Sequence, residues 1–156
     1  MPSKAGMLSP GPRGVKARRA LAVLLAVVVG ASGCFWHRYP TRLRVHCDLL
    51  VAYARKARDL VHAGLFSAET LPELVYPLER ATAFAADARR RTDDPPPSLA
   101  AFDTLLARYR ALVDLVDRTR REPPTAESTR ALDDAVHAVE EAAAATLTAD
   151  QSSRRS

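Results

Sequence analysis

Few side chains in this chain of 156 residues could do chemistry, and they fall into three sets. Cysteine occurs twice, at Cys34 and Cys47. A thiol can be acylated, oxidised, used as a nucleophile or bound to a metal. Two Asp-x-x-His pairs, Asp59 with His62 and Asp134 with His137, set a carboxylate and an imidazole three residues apart. That is a spacing with which facing helices of a bundle can share a metal ion. The third set is His46, next to Cys47.

Helical phase decides against the Asp-x-x-His pairs. At about 100° per residue, Asp59 and His62 lie roughly 130° or more around from the stripe Leu50, Ala54, Ala57 and Val61. Asp134 and His137 are similarly far from Leu132, Val136 and Val139. Both pairs therefore point to water, and the core positions of the helices between them offer no carboxylate to complete a site. His46 sits at the edge of its stripe and reads as a boundary imidazole, with no second Cys/His set for a tetrahedral ion. The chain has no Cys-x-x-Cys-His run, no Gly-rich phosphate loop and no Gly-x-Ser-x-Gly turn. Covalent haem, nucleotide binding and serine hydrolysis thus lack the residues they need. We expect no catalytic residue, no metal and no cofactor.

Charge distribution bounds the partners. The formal charge of +5 invites a nucleic-acid reading, but Lys4, Arg13, Lys16, Arg18 and Arg19 fall within residues 1–33, which contain no acid. Removing those five from 23 basic and 18 acidic residues leaves 18 of each. A neutral body has no net attraction for phosphates, so no nucleic-acid partner is expected.

Residues 1–33 read as an export signal: a basic stretch ending at Arg18-Arg19, an uncharged run Ala20–Val29 (ALAVLLAVVV), then small residues, Gly30 to Gly33. Met7 offers a second start. The twin arginine lacks its usual following motif, which favours the ordinary unfolded export route.

The segment Ala31-Ser32-Gly33-Cys34 resembles the lipobox of bacterial lipoproteins. In that family small residues precede a cysteine whose thiol receives diacylglycerol, and cleavage then makes the cysteine the new N-terminus. The resemblance covers the signal region only. It departs from the family at the third position before the cysteine, where Ala31 replaces the preferred Leu. It implies that Cys34 is the lipidation site, that Ala31, Ser32 and Gly33 form the cleavage region, and that the body faces the periplasm on the bacterial envelope. Phe35, where the family's inner-membrane proteins carry Asp, favours the outer membrane in a Gram-negative cell. The residues also admit an uncleaved anchor from Ala20 to Trp36, close to the shortest span that crosses a bilayer. Phe35, Trp36 and Tyr39 would place amphipathic rings at the membrane interface, and Arg38 and Arg42 could meet headgroup phosphates. With Cys34 acylated, Cys47 has no partner in its own chain and reads as a small buried hydrophobe.

The elements that position these residues are helical throughout. Residues 34–40 form a short tether, 41–148 a helical body and 149–156 a disordered tail. The first helix follows Pro40 and stops near Gly64. The second opens between Ser67 and Glu73, with Thr70 and Glu73 at capping-box spacing, and ends at Arg89-Arg90-Arg91. The third follows the proline break at 92–98 and ends at Glu122-Pro123-Pro124, and Thr125 opens the fourth. Apolar residues recur three and four apart in each: Leu43, Cys47, Leu50, Tyr53, Ala54, Ala57, Leu60 and Val61; Leu71, Leu74, Val75, Leu78, Ala81, Ala85 and Ala88; Leu99, Phe102, Leu106, Tyr109, Val113 and Val116; Leu132, Ala135, Val136, Val139, Ala142, Ala143 and Leu147. Helices of about 25 residues joined by short breaks predict an all-α fold, an antiparallel up-down four-helix bundle after the signal segment. Pro77, inside the second helix, predicts a kink or a split there.

Off these stripes, Tyr76 and Leu115 lie on outer faces and Phe84 on a flank, which suggests a surface for a partner helix or a second copy. The function expected is a membrane-anchored envelope lipoprotein with a non-enzymatic interaction or scaffold body. The alternatives are a bundle that holds a small ligand or metal, or a signal-anchored accessory subunit of a membrane complex.

Overall fold

The computed structural model describes residues 13–121 and 125–155, with side chains from Cys34 onward. The basic residue Lys4, the second start Met7 and the Pro123-Pro124 break lie outside the described residues. The fold is all-helical, and no strand occurs among the described residues. Four helices follow in order: α1 (Arg13–His62), α2 (Leu71–Arg90), α3 (Pro97–Thr119) and α4 (Ala126–Ser153). The chain forms two compact units, Met1–Arg38 and Tyr39–Ser156. The second unit contains the bundle.

The first helix corrects the expectation that helix begins after Pro40, for α1 runs through that proline without interruption. Pro40 lacks the N–H that would bond the Trp36 carbonyl, a defect costing about 3 kcal/mol in a helix interior. The apolar period shows what offsets it. Tyr39, Leu43, Cys47, Leu50, Ala54, Ala57 and Val61 recur three and four apart, and all are buried. The stripe therefore starts before the proline. Tyr53 and Leu60, also expected in the core, are half-buried at its edge.

The end of α1 is where the sequence placed it. Gly64 has φ +69°, the left-handed conformation that costs other residues a Cβ clash. With the chain turned there, Leu65 N–H donates to the Leu60 carbonyl at 2.8 Å and Gly64 N–H to the Val61 carbonyl at 3.0 Å. This is a Schellman closure. A Cβ at position 64 would meet nothing within 4 Å, so any penalty comes from the backbone alone. We expect Gly64→Ala to lower stability by about 1 kcal/mol, with Gly64→Asn costing less. Equal denaturation midpoints for Gly64→Ala and wild type would contradict this assignment.

In α2 the buried set is Leu74, Pro77, Leu78, Ala81, Phe84, Ala85 and Ala88. The helix continues through Pro77, so the predicted split does not occur. The capping box is also absent. The Thr70 hydroxyl turns back to donate to the Ser67 carbonyl at 2.8 Å, and Glu73 pairs with Lys56 of α1.

The widest apolar face belongs to α3. Leu105 and Leu112 join the expected Leu99, Phe102, Leu106, Tyr109, Val113 and Val116 in the core. Each such side chain contributes about 1.5–3 kcal/mol on burial, so α3 supplies much of the driving force. Tyr109 is fully buried, and its hydroxyl donates to the Leu74 carbonyl of α2 at 3.1 Å.

Thr125 caps α4 as expected. Its Oγ1 accepts from Ser128 N–H at 3.0 Å, and the Ser128 hydroxyl accepts from Thr125 N–H at 2.9 Å. The tail expected to be disordered is instead helical as far as Ser153. Two features explain the difference. The buried stripe continues from Val139 and Ala143 through Thr146 to Asp150. The hydroxyls of Thr148, Ser152 and Ser153 donate to carbonyls four residues back, at 2.9–3.0 Å, and no longer compete for a turn.

Candidate functional site

Two places in the chain could carry function, one in each compact unit. In the first unit, Cys34 is exposed. It is followed by Phe35, which is buried, and Trp36, which is half-buried, their rings edge-on with centroids 5.2 Å apart. The side chains of Ala31, Ser32 and Gly33 lie outside the described residues, while the backbone of α1 passes through them.

Tyr39 corrects the sequence reading. Expected as a membrane-interface ring, it is 3% exposed in the bundle. Its hydroxyl shares a hydrogen bond of 3.3 Å with buried Ser98, and its ring stacks on Phe84 with centroids 5.5 Å apart. Burial pushes the phenol above its ordinary range, although the Ser98 bond opposes the shift.

Phe84 is the second correction. It was expected on a partner surface but is 7% exposed, with Phe102 edge-on at 5.9 Å. It stands three residues after Ala81 and four before Ala88, within the spacing of the stripe. Leu115 is half-buried on α3. Of the three residues expected at the surface, Tyr76 alone is strongly exposed.

Tyr76 forms one wall of an open groove of about 520 Å³ between α1 and α2. Val45 and Leu49 form the facing wall, and His46, Phe84 and Pro77 the floor. Sequence reasoning missed Val45 and Leu49, although a signal existed. They stand four apart and four before Tyr53, a second apolar row beside the core stripe. Arg42, Arg80 and Asp87 are the charged residues lining the groove. The Arg80 guanidinium rests over the Tyr76 ring at 5.8 Å, and one of its nitrogens donates to the Tyr76 hydroxyl at 3.4 Å.

Electrostatics in the groove are lopsided. Asp87 is taken by the end of α2 and the residue after it, with Arg91 at 3.0 Å and Arg90 at 3.4 Å, and these bonds hold its carboxyl below the usual range. Among the described residues Arg42 and Arg80 form no ion pair. His46 packs against Phe84 at 4.8 Å, and burial, with Arg80 and Arg42 nearby, lowers its pKa from 6.5. It is therefore neutral at pH 7.

The remaining candidates are placed without being brought into one site. Cys47 is fully buried, and desolvation pushes its thiol up to about 12. It cannot serve as a thiolate at neutral pH. His62 faces Asp133 of α4 at 3.4 Å, His137 faces Glu141 of its own helix at 3.2 Å, and Asp59 pairs with Arg58. Asp134 is exposed. Among the described residues no group of three or more His, Cys, Asp or Glu side chains is placed to hold a metal ion. Nor is any helix among them long and apolar enough to cross a membrane. Comparison with protein-family models, curated proteins and solved structures finds no match to this chain.

Proposed function

We propose that this protein is a bacterial envelope lipoprotein, acylated on Cys34, whose body is an antiparallel up-down four-helix bundle acting as a non-enzymatic interaction module. The single observation behind the anchor is the order of residues: basic stretch, apolar run, Ala31-Ser32-Gly33, then an exposed cysteine. Local helix strength supports processing at that point. Gly30 and Gly33 each weaken a helix by about 1 kcal/mol relative to Ala, so the chain there opens readily into the extended form a peptidase needs.

The up-down order is supported by pairs between helices. From Arg55 to His62 along α1, the partners on α4 run back from Glu140 to Asp133. From Tyr39 to Lys56 they run back along α2 from Phe84 to Glu73. Arg89 meets Asp103, and Leu74 meets Tyr109, in the same opposed sense for α2 and α3. The exposed ion pairs among these contacts add little stability, because water screens them.

In this account the body works outside the cytoplasm, with Phe35 after the lipidated cysteine favouring the outer membrane. A second reading, an uncleaved signal anchor carrying an accessory subunit, rests on the uncharged run Ala20–Val29 alone, since no helix among the described residues is long and apolar enough to cross a membrane. Growth with an alkyne-bearing palmitate separates the two. The lipoprotein reading predicts a labelled protein whose label is lost in Cys34→Ser. A membrane-bound protein that takes no label supports the anchor.

A further inference from the structure

Exposed apolar side chains are ordinary when scattered, and these are not. Of the four large hydrophobic residues most exposed among the described residues, Val45, Leu49, Tyr76 and Leu65, the first three line the same groove between α1 and α2. We propose that this groove binds a long-chain fatty carboxylate, its headgroup on Arg42 and Arg80 and its alkyl chain along Leu49, Tyr53 and Tyr76.

Charge complementarity selects the headgroup. Asp87 is paired with Arg90 and Arg91 at the end of α2, which leaves the guanidinium groups of Arg42 and Arg80 in the groove without an ion-pair partner among the described residues. A guanidinium donates two parallel hydrogen bonds to a carboxylate, a geometry matched to this headgroup. The contact with Tyr76 holds Arg80 at the groove wall. Arg42 and Arg80 both line this groove, one from each of the two helices that form it. Beyond them lie Leu49, Tyr53, Tyr76 and Pro77.

Shape selects a single chain. From Arg42 to Tyr53 the α1 wall extends about 16 Å at 1.5 Å per residue. The volume of about 520 Å³ is that of a small-molecule site, which is typically about 300–1,000 Å³. A stable protein partner would need about 800 Å² from each side, more than this cleft presents. The proposal rests on the body being a binding module but not on the anchor. Acylation of Cys34 and occupation of the groove can fail separately.

The test uses the full chain in its own membranes, irradiated with a diazirine-bearing hexadecanoate. The label should map to peptides covering residues 41–53 and 76–87. Arg42→Gln combined with Arg80→Gln should cut it about tenfold or more, and a diazirine-bearing hexadecanol should label as weakly as that variant. Mass analysis of the N-terminal peptide in the same sample reads the state of Cys34 independently. Equal labelling by acid and alcohol, label spread over the other helices, or no loss in the double variant would overturn the proposal. A photoreactive phenylalanine at position 76 that joins a second copy or another polypeptide, in membranes where the groove takes no lipid, would overturn it too.

Discussion

Leu106→Asp is expected to unfold the bundle. Leu106 lies in the middle of the α3 stripe at 6% exposure, between Phe102 and Tyr109, which are fully buried. A carboxylate there must either stay charged without a counter-ion or take up a proton, and both routes are unfavourable. The cost is about 4 kcal/mol. Single domains have only about 5–15 kcal/mol in total, so the melting temperature should fall by about 15 °C or more, if a folded state survives. Leu106→Met, which keeps volume and polarity, should cost under about 1.5 kcal/mol. A circular dichroism melt of Leu106→Asp that overlays wild type would mean that the α3 stripe is not the core.

Cys34→Ala should leave the protein as an unprocessed precursor. The resemblance to lipoproteins implies that the thiol is lipidated before cleavage, and alanine has no sulfur to receive the lipid. Residues 1–33 would then remain attached, and the band would migrate more slowly than the mature protein. Cys47→Ala is the matched control, since that thiol is buried and should not affect processing. Wild type and Cys34→Ala that both stay on the membrane at the same, full-length size would remove the lipoprotein reading and leave the uncleaved anchor.

How much of this was legible depended on the range of the interaction involved. Leu99, Phe102, Tyr109, Val113 and Val116 declare α3 by spacing alone, because a helix repeats its buried face every three to four residues. Gly64 and Thr125 are local punctuation, and both ends sit where the residue type predicts. Pro40 was misread because a proline is as acceptable in the first turn of a helix as it is costly inside one. Only the burial of Tyr39 before it settles the matter. Tyr39 and Phe84 were placed at surfaces because each is defined by a partner on another helix, Ser98 for one and Phe102 for the other. The groove was out of reach for the same reason. Val45 and Leu49 form an apolar row in the sequence, but only the α2 backbone, with Tyr76 and Arg80, turns that row into a cleft. The last turn of α4, to Ser153, escaped notice because Ser and Thr are read as loop formers. Here their hydroxyls bond back along α4.

The anchor at Cys34 is the centre of the account, and the mass of the N-terminal peptide of the mature protein, taken from isolated membranes, tests it most directly. The expected peptide begins at Cys34 and carries a diacylglyceryl group on its sulfur. A peptide that begins upstream of Cys34 with a free thiol would contradict it.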